Sequence, residues 1–419
     1  MNIKEKKVST SSDRYNLLRF NVAKIIALSS FGPFEIYSLF YLSATSGGRI
    51  TLGIVMVSAL LLGIGFDPFL GRIIDYHHRK AIIFMILFSW VASLMVAFSI
   101  WTLYPESKEI LIPALFVFLD FSGGAFFSVM RAFQQTITDR NLYGRSNALS
   151  EISGQLPSFI GASSAIPAIL YIGVRYSLVI SAMAILVPLL LLHGIRENYA
   201  PSQFFSNEKK AQGTLSFMRS HYKVVIFFYL LNFTFIIITL GNLLKPIFIV
   251  DALKGNSSSI SLSEMTYAVF GSLTGVALSL TPIKFGLKHC YLFMALFSFG
   301  TFLIPFSPDF AFFLAFQSAH GIGNPGNRIS RNTLIMNHVK PSDSGRFFAS
   351  ITLLSNISRL VLLSIFTLLV NITGAGPLIE VTGFLMIGAM LASFFIYLKT
   401  AEVRSAFSSG DQNPKMHLS

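Results

Sequence analysis

Gly71-Arg72-Ile73-Ile74-Asp75-Tyr76-His77-His78-Arg79-Lys80 is a short polar run between two apolar segments, 51–74 and 81–104, that carry almost no charge. An apolar run of about 18 residues or more is long enough to cross a bilayer as a helix. A compact stretch with one acid and three bases between two such runs must reach water at a membrane surface. This juxtaposition decides the fold class, and the rest of the chain repeats it.

Hydrophobic residues make up 53% of the 419 positions and charged residues only 12%, with a mean hydropathy of +0.65. Soluble domains carry about 25% charged residues. Here the apolar positions fall in long unbroken runs, without the periods of half-buried helices or strands. The sequence therefore reads as an all-α, polytopic membrane protein. Its first 18 residues are polar, and no short apolar core with a small-residue cleavage site precedes the first span, so no removed signal peptide is expected. The single cysteine, Cys290, allows no internal disulfide and suggests no thiolate metal site.

Runs long enough to span about 30 Å at about 1.5 Å per residue fall at 20–44, 51–74, 81–104, 110–133, 146–171 and 173–194, then at 222–250, 262–282, 288–306, 309–335, 346–372 and 376–398. Twelve spans place both termini on one side. Of the 32 Lys and Arg residues, 27 fall on that side; Arg49, Lys108, Arg175, Lys245 and Lys254 fall on the other. By the positive-inside rule the termini are cytoplasmic. The net charge of +13 is thus accounted for by topology, and no nucleic-acid partner is expected.

The longest polar segment, 195–221, follows the sixth span and divides the chain six plus six. The expected organisation is a cytoplasmic tail 1–19, a six-helix bundle 20–194, a central loop 195–221, a second six-helix bundle 222–398 and a tail 399–419. The fourth and tenth spans end alike. Gly123-Gly124 precedes Arg131, Thr136 and Gly144-Arg145, while Gly321 and Gly323 precede Arg331, Thr333 and Gly345-Arg346. Parallel six-helix repeats build one large transporter class, in which substrate is held near the midplane.

Taken together, these residues resemble the major facilitator superfamily. Its loop between spans two and three carries Gly-x-x-x-Asp-(Arg/Lys)-x-Gly-(Arg/Lys)-(Arg/Lys); Gly71, Asp75, Arg79 and Lys80 match in spacing, while Tyr76 replaces a base and His78 a glycine. More narrowly, Arg131-Ala-Phe-Gln-Gln-Thr-Ile-Thr-Asp139 and Arg145-Ser-Asn-Ala-Leu-Ser-Glu-Ile-Ser-Gly-Gln155 resemble the enterobactin-exporter and macrolide-efflux branch. The resemblance implies two pseudo-symmetric six-helix bundles, the major facilitator fold. It also implies a cytoplasmic gate in which Asp75 is the latch, Gly71 permits close helix approach, and Arg72, Arg79 and Lys80 pair with acids of neighbouring helices. Asp67, one or two turns earlier, is a local partner for them. The latch has a physical basis, because span eleven starts on the cytoplasmic side and the positive end of its dipole attracts a carboxylate there. The plainer alternative is a set of interfacial charges that only orient the chain.

Ionisable residues within spans are costly unless they face a cavity or a partner. Glu35 lies mid-span in the first run after Gly32-Pro33, and Asp120 lies mid-span in the fourth among Phe118, Leu119 and Phe121. Apolar surroundings disfavour the ionised carboxylate, which suits such a group to taking up and releasing a proton. Both are candidate proton-coupling residues. Against this stands a packed glutamate bonded to a neighbouring polar side chain, and an aspartate that changes the charge preference for substrate.

Phe31, Phe34 and Tyr37 flank Glu35 and are candidate cavity walls, as are Asn232, Gln317 and Asn324. Mid-membrane amides also bond across helices for about 1 kcal/mol each, so packing competes with function at Asn232, Asn242, Gln317, Asn324 and Asn327. Gly321-Ile-Gly-Asn-Pro325-Gly326 is expected to break or bend the tenth span, Gly271 and Gly275 to pack closely against a neighbour, and Arg328 or Arg331 to reach toward the cytoplasmic surface. His77 and His78 are too few ligands for a metal. The chain contains no phosphate-binding glycine loop and no Gly-x-Ser-x-Gly or His-Glu-x-x-His signature. It does not read as an enzyme or an ATP-driven pump, no cofactor is expected, and energy would come from an ion gradient.

The function expected is a proton-coupled exporter of an organic small molecule (an antibiotic, a siderophore or a peptide-like toxin), acting as a monomer in the lipid bilayer of the bacterial cytoplasmic membrane. A proton-coupled importer of a peptide, sugar or siderophore on the same fold is the first alternative. A non-transporting sensor or scaffold is the second.

Overall fold

A computed structural model of the chain describes residues 10–45, 47–137, 143–195, 214–280, 286–339, 341–400 and 403. Every regular element among them is helical. The principal helices are α1 (Thr10–Ser29), α2 (Gly32–Ala44), α3 (Gly48–Tyr76), α4 (Arg79–Leu103), α5 (Lys108–Ile137), α6 (Tyr143–Pro167), α7 (Val174–His193), α8 (Thr214–Ser220), α9 (Tyr222–Leu231), α10 (Phe233–Asp251), α11 (Ser257–Leu280), α12 (Leu287–Leu303), α13 (Phe310–His338), α14 (Pro341–Thr373) and α15 (Ala375–Lys399).

Ten helical stretches among the described residues are long and apolar enough to cross a membrane, which makes this a multi-pass membrane protein. Their outward faces are apolar: Met85, Phe88 and Val96 on α4 and Met183, Leu186 and Leu190 on α7 are exposed, as side chains in contact with lipid should be. Many hydroxyl groups inside the spans return to their own backbone. Ser38 donates to Phe34 O at 2.7 Å and Thr367 to Leu363 O at 2.7 Å, which keeps small polar residues compatible with hydrocarbon. Two long helices, α11 and α13, are not among the ten stretches. Ser257, Ser261, Ser263 and Glu264 dilute the first; Gln317, His320, Asn324, Asn327, Arg328 and Arg331 dilute the second.

The chain divides into two compact units, one of Met1–Ser38 with Leu61–Asn207 and one of Leu39–Leu60 with Glu208–Ser419. The first is centred on Trp90 of α4, which has no exposed surface. Phe31 meets its ring edge-on at 4.8 Å and Phe126 lies 4.9 Å away. Gly32 opens α2 after the break at residues 30–31, and a Cβ there would collide with the backbone of Gly161 on α6; two glycines let these helices touch backbone to backbone. In the second unit Phe227, Phe228, Phe297, Phe313 and Phe347 are fully buried.

The packing sharpens how the glycine motifs are read. The Gly321–Gly326 stretch does not break its helix, because α13 runs through Pro325 from Phe310 to His338. Its glycines serve close approach instead: a Cβ on Gly323 would strike Phe297 and one on Gly326 the ring of Phe293, both on α12, while one on Gly321 would strike Tyr267 and Phe270 on α11. Of the Gly271–Gly275 pair only the first packs closely: Gly271 N lies 3.3 Å from where a Cβ on Gly321 of α13 would stand, while Gly275 faces open space. Gly123 and Gly124 also meet nothing within 4 Å, so the matching glycines of the two repeats differ in their packing. The interruptions fall elsewhere, at residues 30–31 between α1 and α2 and at Asn232 between α9 and α10.

Candidate functional site

The polar run that opens the sequence is the turn between α3 and α4, with only His77 and His78 outside the two helices. Gly71, Arg72 and Asp75 lie in the last turns of α3, and their side chains lie outside the described residues. Arg79 donates to Ala132 O of α5 at 2.5 Å, and Lys80 donates to His193 O at 2.5 Å and Ile195 O at 3.0 Å. Each base therefore reaches backbone carbonyls of another segment, and those taken by Lys80 lie at the C-terminal end of α7, where orphan acceptors and the negative end of the dipole favour a cation. Asp67, about two turns before Asp75, is exposed.

Glu35 sits in the first turn of α2, where the positive end of the helix dipole favours a carboxylate. It is exposed in this unit, as is Asp120 on α5. Phe31 and Phe34, by contrast, turn into the core at 8% and 2% exposure, so they hold α2 in place. Tyr37 is half-buried, its ring 6.2 Å from Trp101. A residue the sequence reading passed over ties the two acid-bearing helices together. Trp90 takes the edge of Phe31 and donates its indole N–H to Ser122 Oγ at 2.7 Å, two residues after Asp120. A Trp at mid-span, away from the interfacial belts where this residue collects, needs a partner for its N–H; that was the available signal.

In the second unit Asn232 lies at the break between α9 and α10 and donates to Ser355 Oγ on α14 at 2.8 Å. Tyr229 with Ser358 at 2.7 Å, and Arg359 donating to Thr239 Oγ1 at 2.7 Å, extend the same seam. Gln317 and Asn324 lie elsewhere, on the α13 face toward α10 and α11. Gln317 Oε1 accepts from Lys245 Nζ at 3.4 Å, and Asn324 donates to the Tyr267 hydroxyl at 2.7 Å. His320, between them on α13, bonds Thr301 of α12 at 2.7 Å and stacks on Phe297 at 4.4 Å. Arg331, at 8% exposure, grips Asn327 Oδ1 at 3.3 Å within its own helix. Lys245 had counted as an outer-face base, although it interrupts the apolar run Leu243-Leu244-Lys245-Pro246-Ile247. That interruption could have revealed it.

No family profile matches the chain, and no curated protein sequence does. Solved structures do match in fold. A mutant of the nucleoside transporter NupG aligns with a TM-score of 0.63 at 11% identity, over 91% of this chain and 100% of that one. The unmutated NupG gives 0.60 at 12% identity, over 91% and 99%. A bacterial metal transporter gives 0.61 at 11% identity, over 92% and 98%. A nucleoside and a metal on one architecture show that the fold does not set the cargo. What the likeness establishes is that this chain shares the fold of these two proteins.

Proposed function

We propose that the chain is a proton-coupled secondary transporter that exports an organic small molecule by alternating access, with twelve spans in two six-helix halves and both termini in the cytoplasm of a bacterial cell. The observation that carries this reading is the pair of acids, Glu35 and Asp120, left on the exposed surface of the first unit, in segments that otherwise belong to hydrocarbon. A carboxyl there can gain and lose a proton as its surroundings change. Asp75, with Gly71, Arg72, Arg79, Lys80 and Asp67, forms the cytoplasmic gate. Export, and an antibiotic, siderophore or peptide-like cargo, rest on the resemblance of residues 131–155 to the enterobactin and macrolide branch. No cofactor is required, and the chain works as a monomer.

Everted membrane vesicles energised with a proton gradient test this reading on a panel of such compounds. One of them should accumulate, and a protonophore should abolish the accumulation. Glu35→Gln should lower gradient-driven accumulation at least about tenfold while sparing exchange at equal concentrations, because it removes a proton site and not a binding contact. Full accumulation by Glu35→Gln would remove that residue from coupling. Uptake only into right-side-out vesicles would make the protein an importer, and no gradient-driven movement in either orientation would leave a sensor or scaffold.

A further inference from the structure

Lys245 is 4% exposed, on a helix that spans the membrane. It lies about 9 Å along the axis from the end of α10 at Asp251, at about 1.5 Å per residue. A lysine so placed would ordinarily extend its stem toward the nearer surface. This one runs the other way: its Cε lies 3.2 Å and its Nζ 3.9 Å from where a Cβ on Gly241 would stand. The missing side chain of Gly241 gives the stem its channel, and the ammonium is directed into the unit, away from the outer water.

An ammonium held there needs partners, since an isolated buried charge costs several kcal/mol. Its hydrogen bond to Gln317 Oε1, at 3.4 Å, is at the long limit of such bonds. The Tyr267 ring lies 5.7 Å away, and Glu264 of α11 acts on it electrostatically. The groups around it also have unmet capacity. Gln317 has no exposed surface, and its Nε2 has no hydrogen-bond partner. The Tyr267 hydroxyl accepts from Asn324, which leaves its own proton to donate. His320, 3% exposed, is within the electrostatic reach of Lys245. The Thr301 hydroxyl already donates to Phe297 O at 2.8 Å, so it accepts from His320 Nε2. The neutral ring then carries its lone pair on Nδ1, which is buried and without a partner.

We infer that Lys245, Gln317 and Tyr267 form a binding subsite for a carboxylate group of the transported molecule, with the Nδ1 lone pair of His320 placed to accept a polar hydrogen from the same molecule. A carboxylate offers two oxygens and about four lone-pair positions, which match an ammonium, a primary amide and a phenol from two adjoining helices and from α10. The inference names a cargo class for the proposed transporter and so rests on that reading, but binding can be measured without transport.

Formate is small enough to enter any carboxylate subsite, and formamide is its neutral counterpart. With the purified full chain in detergent at constant ionic strength, formate should raise the unfolding midpoint by about 2–4 °C over formamide. Lys245→Met and Gln317→Leu should each lose that difference. Because Lys245→Met removes a buried side chain with several polar neighbours and can fail to fold, Gln317→Glu is the second arm. It supplies a carboxylate within the chain, so its basal midpoint should rise and its response to formate should vanish. Equal effects of formate and formamide on the wild type, or a formate response retained in Gln317→Glu, would overturn the subsite. If formate binds as expected while vesicles show no gradient-driven transport, the subsite stands and the transporter reading falls; transport without a formate response gives the reverse.

Discussion

Gly32→Ala should fall among the most damaging single-methyl additions in the chain. The new Cβ would point at the Cα and carbonyl of Gly161, atoms of another helix's backbone that have no rotamer to change. The two helices must separate, and α2 loses the register in which Phe31 meets Trp90. Overpacking of this kind costs about 1–3 kcal/mol and more where nothing can yield, so the midpoint of thermal unfolding should fall by about 1–4 °C or more. The reciprocal change is milder. A Cβ on Gly161 would lie 3.1 Å from Gly32 Cα and 3.3 Å from Ser29 O, distances that a shift of a few tenths of an ångström can relieve. Gly124→Ala supplies the opposite sign. That residue is exposed within α5 with nothing within 4 Å, and replacing a helical glycine where space allows stabilises by about 0.4–1 kcal/mol. Thermal unfolding of the three purified variants would rank them, and a Gly32→Ala protein as stable as Gly124→Ala would show that α2 and α6 do not touch at these glycines.

That contrast marks where sequence reading reached its limit. The helical, multi-pass class was legible because the free energy of moving twenty apolar residues into hydrocarbon sums along the chain and needs no tertiary information. The Gly71–Lys80 turn was legible for the same reason, since polar residues between two spans have only water to face. Glycine was not, because its meaning depends on what stands opposite. Gly124 and Gly323 look alike in the repeat, yet one meets open space and the other meets Phe297. The Gly321–Gly326 stretch likewise lets α12 approach an unbroken α13. Phe31 and Phe34 could not be separated from Glu35 on spacing alone. Residues 31, 34, 35 and 38 all recur at helical intervals, and only the packing shows that 31, 34 and 38 are buried while Glu35 is exposed. Lys245 was hidden by a counting rule: the positive-inside tally assigns every base to a surface, and only the direction of the side chain shows that this one points away from it.

Exchanging the charges of Arg49 and Asp251 should leave the protein at least as stable as the wild type, although either reversal alone should weaken it. The two side chains form an ion pair at 2.6 Å, each 33% exposed. Arg49 stands in the first turn of α3, just after Gly47 at φ +76°, and Asp251 is the last residue of α10. Each is at the wrong end of its helix, since a base near an N-terminus and an acid near a C-terminus both oppose the dipole, at about 0.3–1 kcal/mol apiece. Their mutual attraction is what offsets this placement. It also fastens segment 39–60 to the rest of the second unit, alongside Gly53, where an added Cβ would overlap Thr367 of α14. Arg49→Asp sets two carboxylates face to face and should cost about 1–2 kcal/mol once solvent screening is allowed for. It should also speed amide hydrogen exchange through the first turns of α3. Adding Asp251→Arg restores opposite charges and now puts an acid at the N-terminus of α3 and a base at the C-terminus of α10. The double variant should therefore recover wild-type exchange and exceed wild-type stability by about 1 kcal/mol, less whatever the altered side-chain lengths remove. If the double variant is no more stable than Arg49→Asp alone, the contact is incidental and segment 39–60 is held by packing at Gly53.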